Sequence, residues 1–328
     1  MLYGIEKLNL ANLPTPIEKL TKISELLDKD VYVKRDDYTG FEFSGNKIRK
    51  LEFSVKDAIN KGANHLITCG AIQSNHARAS AVVAAKLGLG CTLILKGNEE
   101  DDLDGNYFLD KLFGAEIVFV SADDYAFRRN EIMEKTKEQL EKLGLKPYII
   151  PEGASNAIGS LGYLNCFEEI LIQEESLGIE FDAIVAAVGS GGTYTGLYLG
   201  NQLHKSKKEI IGFNVSSTAE HFTKRICELV DKTLQLLDKC NDVNKGDVKI
   251  IDGYVGRGYA ISRVEEFEFI EKIAQTEGII LDPVYSGKAF YGLVNEIQNG
   301  NFKDLKNILF IHTGGQFGIF PKRDLFEL

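Results

Sequence analysis

Cysteine is sparse and unpatterned in this sequence. The five residues (Cys69, Cys91, Cys166, Cys227 and Cys240) are odd in number, scattered, and never in a C-x-x-C pair. That excludes a disulfide framework and a thiolate zinc site, and leaves reduced thiols, most of them in the core. The five histidines (His65, His76, His204, His221 and His312) include no H-E-x-x-H pair and no neighbouring cysteine, so no metal centre is expected. Basic residues are in deficit, 38 against 48 acidic, and the net charge of -10 is spread along the chain. A nucleic-acid surface needs clustered cations, so no nucleic-acid partner is expected. No run of about 18 apolar residues occurs, and Met-Leu-Tyr-Gly-Ile-Glu-Lys lacks the basic-then-apolar order of a signal peptide. The expectation is a cytoplasmic protein with no membrane partner. Internal repeats, heptads and low-complexity tracts are missing too.

What remains is 328 residues at globular averages, 44% hydrophobic and 26% charged, enough for two cores. Leu13-Pro14-Thr15-Pro16 is an extended lead-in across a larger body, because residues before proline are pushed out of the helical region. A short strand over 31–35 ends in Arg35-Asp36-Asp37. A regular beat follows: helix 51–61, strand 65–69, helix 76–87, strand 91–96, helix 105–113, strand 116–120, helix 125–143, strand 148–150. Apolar strands alternating with helices, joined by turns such as Leu87-Gly88-Leu89-Gly90, require a parallel sheet covered by helices. The turn-rich stretch 151–156 crosses between lobes. Helix 161–177, strand 182–188, helix 193–203, strand 209–215, helix 219–239, a short strand 249–251, helices 264–276 and 286–298, and strand 307–312 complete the chain. The fold class is α/β, with two lobes that are each a mainly parallel sheet covered by helices.

Four loops and one lysine concentrate the chemistry. In Phe43-Ser44-Gly45-Asn46-Lys47-Ile48-Arg49-Lys50, Asn46 reads as an N-cap and places Lys47 in the first helical turn. A cation is disfavoured there by the helix dipole, and the same dipole with partial burial lowers its pKa toward a neutral, nucleophilic amine. The bland alternative is a solvated lysine beside Arg49 and Lys50. Gly189-Ser190-Gly191-Gly192-Thr193 joins an apolar strand to a helix, so successive N–H groups can face an anion at the helix start. It is neither a G-x-G-x-x-G dinucleotide fingerprint nor a Walker loop, and a plain tight turn is the alternative. Gly70 to His76 carries Gln73, Ser74, Asn75 and His76 at a strand end, where open α/β sheets place their sites. There Ser74 or Asn75 can equally be a helix cap. The third and fourth loops are Asp282 to Lys288, with Tyr285, and His312-Thr313-Gly314-Gly315. Tyr285 can equally be a packed aromatic whose hydroxyl is satisfied.

Together, a helix-start lysine, an anion loop and hydroxyl or amide side chains at strand ends are what pyridoxal phosphate needs: an amine for its aldehyde and a nest for its phosphate. These blocks, with Leu13-Pro14-Thr15-Pro16 and Lys34-Arg35-Asp36-Asp37, resemble the fold-type-II pyridoxal-phosphate enzymes of the tryptophan synthase β-like superfamily. Within it the chain is similar to the 1-aminocyclopropane-1-carboxylate deaminase and D-cysteine desulfhydrase family. The resemblance implies a cofactor-binding domain from 1–49 and 159–328, with a smaller α/β domain, 50–158, inserted in it, and a homodimer. It implies that Lys47 holds pyridoxal 5'-phosphate as an internal Schiff base and moves the α-proton of a small amino-acid substrate. Asn75 would bind the ring hydroxyl oxygen, Gly189, Ser190, Gly191, Gly192 and Thr193 the phosphate, and Thr313 the ring nitrogen. Tyr285 and Tyr259 would lie by the ring, and Gln73, Ser74 and His76 by the substrate, with Ser74 and His76 facing its carboxylate.

The family divides at two positions. The cyclopropane deaminases have a glutamate after the active-site tyrosine and a leucine in the late block, whereas this chain has Ser286 and Thr313. A neutral hydroxyl beside the ring nitrogen makes a weaker electron sink than a carboxylate does, which suits β-elimination of a good leaving group. The expected activity is therefore that of a D-cysteine desulfhydrase-like lyase, giving pyruvate, ammonia and hydrogen sulfide. The alternatives are a 1-aminocyclopropane-1-carboxylate deaminase, an L-cysteate sulfo-lyase, a non-catalytic pyridoxal-phosphate or amino-acid binding protein, and a hydrolase on Ser74 and His76 that would lack the G-x-S-x-G elbow. Ser44 and Gln316-Phe317 depart from the family pattern.

Overall fold

A computed structural model describes residues 2–239 and 243–328; Cys240 lies outside the described residues. The chain opens with β1 (Ile17–Lys19), α1 (Thr21–Leu27), β2 (Asp30–Lys34) and α2 (Lys47–Asn60). A first alternation runs β3 (His65–Ala71), α3 (Asn75–Leu87), β4 (Gly90–Lys96), α4 (Gly105–Leu112), β5 (Glu116–Val120), α5 (Ala122–Lys142), β6 (Pro147–Ile149). A second follows with α6 (Ala157–Leu177), β7 (Ala183–Val188), α7 (Gly192–Leu203), β8 (Glu209–Asn214), α8 (Ala219–Leu236) and β9 (Lys249–Ile251). The last elements are α9 (Val264–Glu277), α10 (Ser286–Gln298) and β10 (Asn307–Ile311).

The strands form two sheets, one ordered β1-β2-β10-β7-β8-β9 and the other β5-β4-β3-β6. Every pairing is parallel except β1 with β2. Strand β7, Ala-Ile-Val-Ala-Ala-Val, is buried along its whole length, as a central parallel strand covered on both faces must be. Strand β1 escapes sequence reading because its three residues follow directly on the proline-rich lead-in and show too little alternation to register. Helix α6 starts at Ala157 rather than 161, since Asn156 accepts the N–H of Gly159 and caps it.

Helix α2 holds the two halves together. Its Ile48, Leu51, Val55 and Ala58 enter the core beneath the four-stranded sheet, while Phe53 enters one of the cores of the six-stranded sheet. Helix α6 approaches it so closely that a Cβ on Gly162 would lie 2.4 Å from the Arg49 carbonyl oxygen. Among the described residues, no helix is long and apolar enough to cross a membrane. Cys69, Cys91 and Cys166 are buried free thiols and Cys227 is a half-buried one.

Candidate active site

A cavity of about 210 Å³ is lined by residues at or just beyond the carboxyl ends of β3, β4, β7, β8 and β10 and at the start of α2. It is where strands of both sheets end, the usual place for a ligand in such sheets. Two glycine strips bring its walls together. Gly45 has φ of +111° and a Cβ there would lie 2.6 Å from the Thr313 carbonyl oxygen, while one on Gly314 would lie 2.5 Å from the Gly45 Cα. Only residues without side chains can pass so closely. The Asn46 N–H donates to the Thr313 carbonyl at 3.1 Å, and Lys47 and Thr313 line the same cavity.

Asn46 differs from the sequence expectation. Its backbone is already helical (φ -63°, ψ -19°) and its side chain does not cap α2. The buried amide instead donates through Nδ2 to Thr193 Oγ1 at 3.0 Å, tying the start of α2 to the start of α7. Lys47 is half-buried, and its Nζ lies 5.9 Å from the Tyr285 ring centroid with no hydrogen-bond partner among the described residues. Burial lowers its pKa to about 8, opposed first by the charge of Glu152 and then by that of Asp282.

Beside the glycine loop stands a residue that sequence reading passed over. Lys50 is fully buried, donates from Nζ to Ser155 Oγ at 2.7 Å, and makes no ion pair among the described residues. A Cβ on Gly192 would lie 2.7 Å from that Nζ and 2.8 Å from Ser155 Oγ, so the ammonium presses against the loop. The Gly192 N–H reaches Ser155 Oγ at 3.3 Å, and Ser155 and Ser190 hydroxyls meet at 2.7 Å. Arg225 donates from Nε to the Ser190 carbonyl at 2.8 Å. Burial drives the Lys50 pKa well below its ordinary value, and the charges of Lys47 and Arg225 add to the effect. A buried amine with no carboxylate partner among the described residues, next to a helix N-terminus and an open backbone turn, would accept an anion.

The aromatic wall is Tyr259 and Tyr285, whose hydroxyls lie 2.6 Å apart. Burial raises the Tyr259 pKa to about 12 and that of Tyr285 well above 10.0, so both stay protonated near neutrality. One proton serves the pair and the other remains to be donated. Asp282 builds the turn under Tyr285: its Oδ2 accepts the N–H groups of Val284 and Tyr285, both at 2.9 Å, and its Oδ1 those of Ser286 N at 2.7 Å and Oγ at 2.6 Å. The ring lies over the glycine loop, since a Cβ on Gly189 would meet Tyr285 Cε1 at 2.8 Å.

On the opposite lobe, Ser74 is both a cap and a cavity residue. Its Oγ accepts the Ala77 N–H at 3.1 Å, and its own proton has no acceptor among the described residues. Asn75 also lines the cavity. Gln73 does not: its Nε2 donates to the Asp104 carbonyl at 3.0 Å and its Oε1 accepts the Asn106 N–H at 2.9 Å, so it holds the start of α4 rather than a substrate. His76 lines the cavity, but not as the carboxylate anchor expected. Thr68 Oγ1 gives its proton to the Ile150 carbonyl at 2.7 Å, so His76 Nε2, 2.8 Å away, carries the ring proton and Nδ1 is bare and buried. Burial, with the charges of Lys47 and Lys50, keeps the ring neutral, and a bare lone pair does not attract an anion. Gly189, Ser190, Gly191 and Thr193 line the cavity; Gly192 lies against Lys50 and Ser155. Lys96, Tyr125 and Glu152 also line it without having been foreseen, with the Tyr125 hydroxyl donating to Glu152 Oε1 at 2.6 Å.

The donor set fits pyridoxal phosphate. An amine with a pKa near 8 stands within reach of an aromatic wall, and a cationic cradle of loop N–H groups and Lys50 would accept a phosphate. The two family-pattern departures touch each other, Ser44 Oγ donating to Gln316 Oε1 at 2.8 Å.

Comparison with known proteins adds the following. A family model described as pyridoxal-phosphate dependent enzyme matches residues 8–314. The chain is 42% identical over 329 residues to an Arabidopsis thaliana mitochondrial protein named bifunctional D-cysteine desulfhydrase/1-aminocyclopropane-1-carboxylate deaminase, covering 96% of this chain and 80% of that one. It is 39% identical over 324 residues to a D-cysteine desulfhydrase of Yersinia enterocolitica, covering 97% and 96%. A crystal structure described as an ACC deaminase homologue superposes with a TM-score of 0.90 at 41% identity, covering 98% and 96%.

Proposed function

The chain belongs to the family of pyridoxal-phosphate dependent enzymes, and on that premise we propose that it is a β-eliminating lyase converting D-cysteine to pyruvate, ammonia and hydrogen sulfide. Bound in the cavity, pyridoxal phosphate supplies a conjugated ring that takes up the electron pair left when the substrate loses its α-proton. The chain supplies the rest. Lys47 would hold the aldehyde and, once substrate takes its place there, its freed amine, whose pKa burial lowers to about 8, would be the base for the α-proton. The loop Gly189 to Thr193, with Ser155 and Lys50, would hold the phosphate. Asn75 would donate to the ring oxygen, Thr313 would face the ring nitrogen, and the Ser74 hydroxyl would donate to the substrate carboxylate. The proton not spent between Tyr259 and Tyr285 would be available to hydrogen-bond the departing sulfur.

The observation that carries the substrate choice is the state of Asp282. All of its acceptor capacity is committed to the Tyr285 turn and to Ser286, and Thr313, which lines the cavity and which we assign to the ring-nitrogen end, offers a neutral hydroxyl there. A neutral partner holds no proton on that nitrogen, and the weaker electron sink suits loss of a thiolate rather than opening of a cyclopropane. A sulfo-lyase acting on L-cysteate is the second reading, favoured by Lys96, a cation lining the cavity that would suit a sulfonate. We propose the same division of the chain as the sheets suggest, 1–49 with 159–328 and 50–158, together with a cytoplasmic homodimer.

The test is turnover of D-cysteine, L-cysteine, L-cysteate and 1-aminocyclopropane-1-carboxylate by the pyridoxal-phosphate-loaded protein, with pyruvate, 2-oxobutyrate, sulfide and sulfite measured. Sulfide and pyruvate from D-cysteine is the expected result. Sulfite from cysteate, or 2-oxobutyrate from the cyclopropane, without sulfide from D-cysteine, would overturn the substrate. Sedimentation of the loaded protein tests the dimer.

A further inference from the structure

Asn75 can help hold a ring oxygen only if its amide shows the cavity N–H groups and not its carbonyl, and the two ends of an amide are equal in shape. Something must choose between them. The structure has a chain of one-way hydrogen bonds that does so, running through Asn106 at the start of α4. Asn106 and Arg78 are both fully buried. The guanidinium of Arg78 has donors only, and its Nε points at one end of the Asn106 amide, 2.9 Å away, so that end is the oxygen Oδ1. The other end faces the Gln73 main-chain carbonyl at 3.0 Å, which can only accept, so that end is Nδ2. Two independent partners thus fix the same orientation.

The same Nδ2 lies 2.9 Å from one end of the Asn75 amide. Since Nδ2 is a donor, that end of Asn75 is Oδ1, and Nδ2 of Asn75 is left without a partner among the described residues, on a residue that lines the cavity. Arg78 is itself held by the main-chain carbonyls of Glu42 and Ser44, the latter at 2.8 Å, in the loop that leads to Lys47. The relay therefore starts beside the lysine strip and ends at the opposite wall of the same cavity.

We propose that Asn106 is a positioning residue which, set by Arg78 and Gln73, locks the Asn75 amide as a donor toward the cofactor's ring oxygen. This rests on the pyridoxal-phosphate site of the preceding section and extends it to a residue that touches neither cofactor nor substrate. The asymmetry is chemical: an acceptor in place of Asn106 Nδ2 draws the Asn75 N–H groups to itself and turns the carbonyl oxygen into the cavity, against an oxygen that carries negative charge.

The experiment uses Asn106→Asp, which keeps the volume and the acceptor for Arg78 and replaces the donor by a negatively charged acceptor. Pyridoxal phosphate affinity is measured by absorbance titration, and the pH at which the visible band of the bound cofactor titrates is recorded, for wild type, Asn106→Asp, Asn75→Ala and the double variant. Expected are a loss of affinity of about 10- to 100-fold in Asn106→Asp and a moved pH titration. The double variant should be no weaker than Asn75→Ala alone, because Asn106 acts only through Asn75. Unchanged affinity and titration in Asn106→Asp, or losses that add in the double variant, would overturn the proposal. Should Asn106→Asp fail to fold by circular dichroism, Asn75→Asp decides: with Asn106 Nδ2 fixed, its second carboxylate oxygen must face the cavity, and it should bind more weakly than Asn75→Ala. Equal binding by those two variants also overturns it. Failure of wild type to bind pyridoxal phosphate at all would instead sink the functional reading on which the proposal stands.

Discussion

Arg49 and Lys50 are neighbours in the first turns of α2 and both are fully buried, yet they live in opposite surroundings. Arg49 donates to Asp36 Oδ2 at 2.9 Å and Oδ1 at 2.8 Å, and to Glu169 at 2.9 Å and 3.0 Å. Lys34 joins Glu169, and Thr15 and Tyr163 hydroxyls complete the shell of Asp36. Every charge there has its counter-charge inside the protein. Lys50 meets one serine hydroxyl, and Lys47, one turn earlier, lies over the Tyr285 ring with no hydrogen-bond partner among the described residues. In keeping with this, burial pushes both pKa values down, but the charges of Asp36 and Glu169 hold Arg49 well above its ordinary value, whereas the charges of Lys47 and Arg225 add to the burial and leave Lys50 well below. Three cations at a helix start, with no acidic residue in its first turn, oppose the macrodipole. One is neutralised by the fold, and the other two have no carboxylate partner among the described residues.

The largest effect that would break this contrast is at Lys47. Lys47→Ala should lower pyruvate formation by about 10³-fold or more and abolish the borohydride-stable mass adduct with pyridoxal phosphate. Retention of either would show that the unpaired amine is not the cofactor's anchor. Next comes the paired side. Arg49→Met leaves Asp36 and Glu169 with less counter-charge in the interior and should cost about 3–5 kcal/mol, read as a large fall in Tm of the apoprotein. The carboxylates carry the pH dependence. Asp36, held below its ordinary value, contributes stability present above about pH 3.9 and lost as pH falls through the lower folded value.

Lys50→Met sharpens the comparison in the other sense. It removes an amine whose charged form burial disfavours and which has no carboxylate partner among the described residues, so the apoprotein's Tm should hold or rise, while pyridoxal phosphate affinity falls about 10- to 100-fold for the loss of one charge-assisted contact. If Lys50→Met destabilises the apoprotein as Arg49→Met does, the distinction between fold-neutralised and ligand-neutralised cations collapses.

How much of this could be read beforehand follows the same line. The helix-strand beat is local, and β7 or α10 is legible because its own residues carry the pattern; the glycine loops are legible because few residue types permit their backbones. Lys50 was not, since what separates it from Arg49 is the identity of partners at Asp36, Glu169 and Ser155, far away in sequence. Asn46 looked like a cap because its local context allows one, and the Thr193 hydroxyl that captures its amide lies far along the chain. Gln73 and His76 sit inside a motif the family resemblance marks, but a side chain's direction is set by neighbours on other elements, here Asp104, Asn106 and Thr68. Asn106 carried no signal at all. Periodicity reports what a residue is near along its own helix, and sites are made of what it meets across the cleft.

The smallest expected effect tests the one carboxylate among the residues lining the cavity. Glu152 opposes the burial shift of Lys47, and its side chain is 43% exposed, so solvent screens much of its field. Reductive trapping of the wild-type apoprotein with pyridoxal phosphate and cyanoborohydride, followed by mass, should rise with pH through a midpoint of about 8, because only the neutral amine attacks. Removing a negative charge disfavours the ammonium, so Glu152→Gln must move that midpoint toward acid, never toward base, and by only a fraction of the burial shift. A large acid shift would mean that Glu152 is in effect the ion-pair partner Lys47 otherwise lacks, and Lys47 would then belong with Arg49. No shift would leave burial alone in control of the amine, the extreme form of the contrast with which α2 begins.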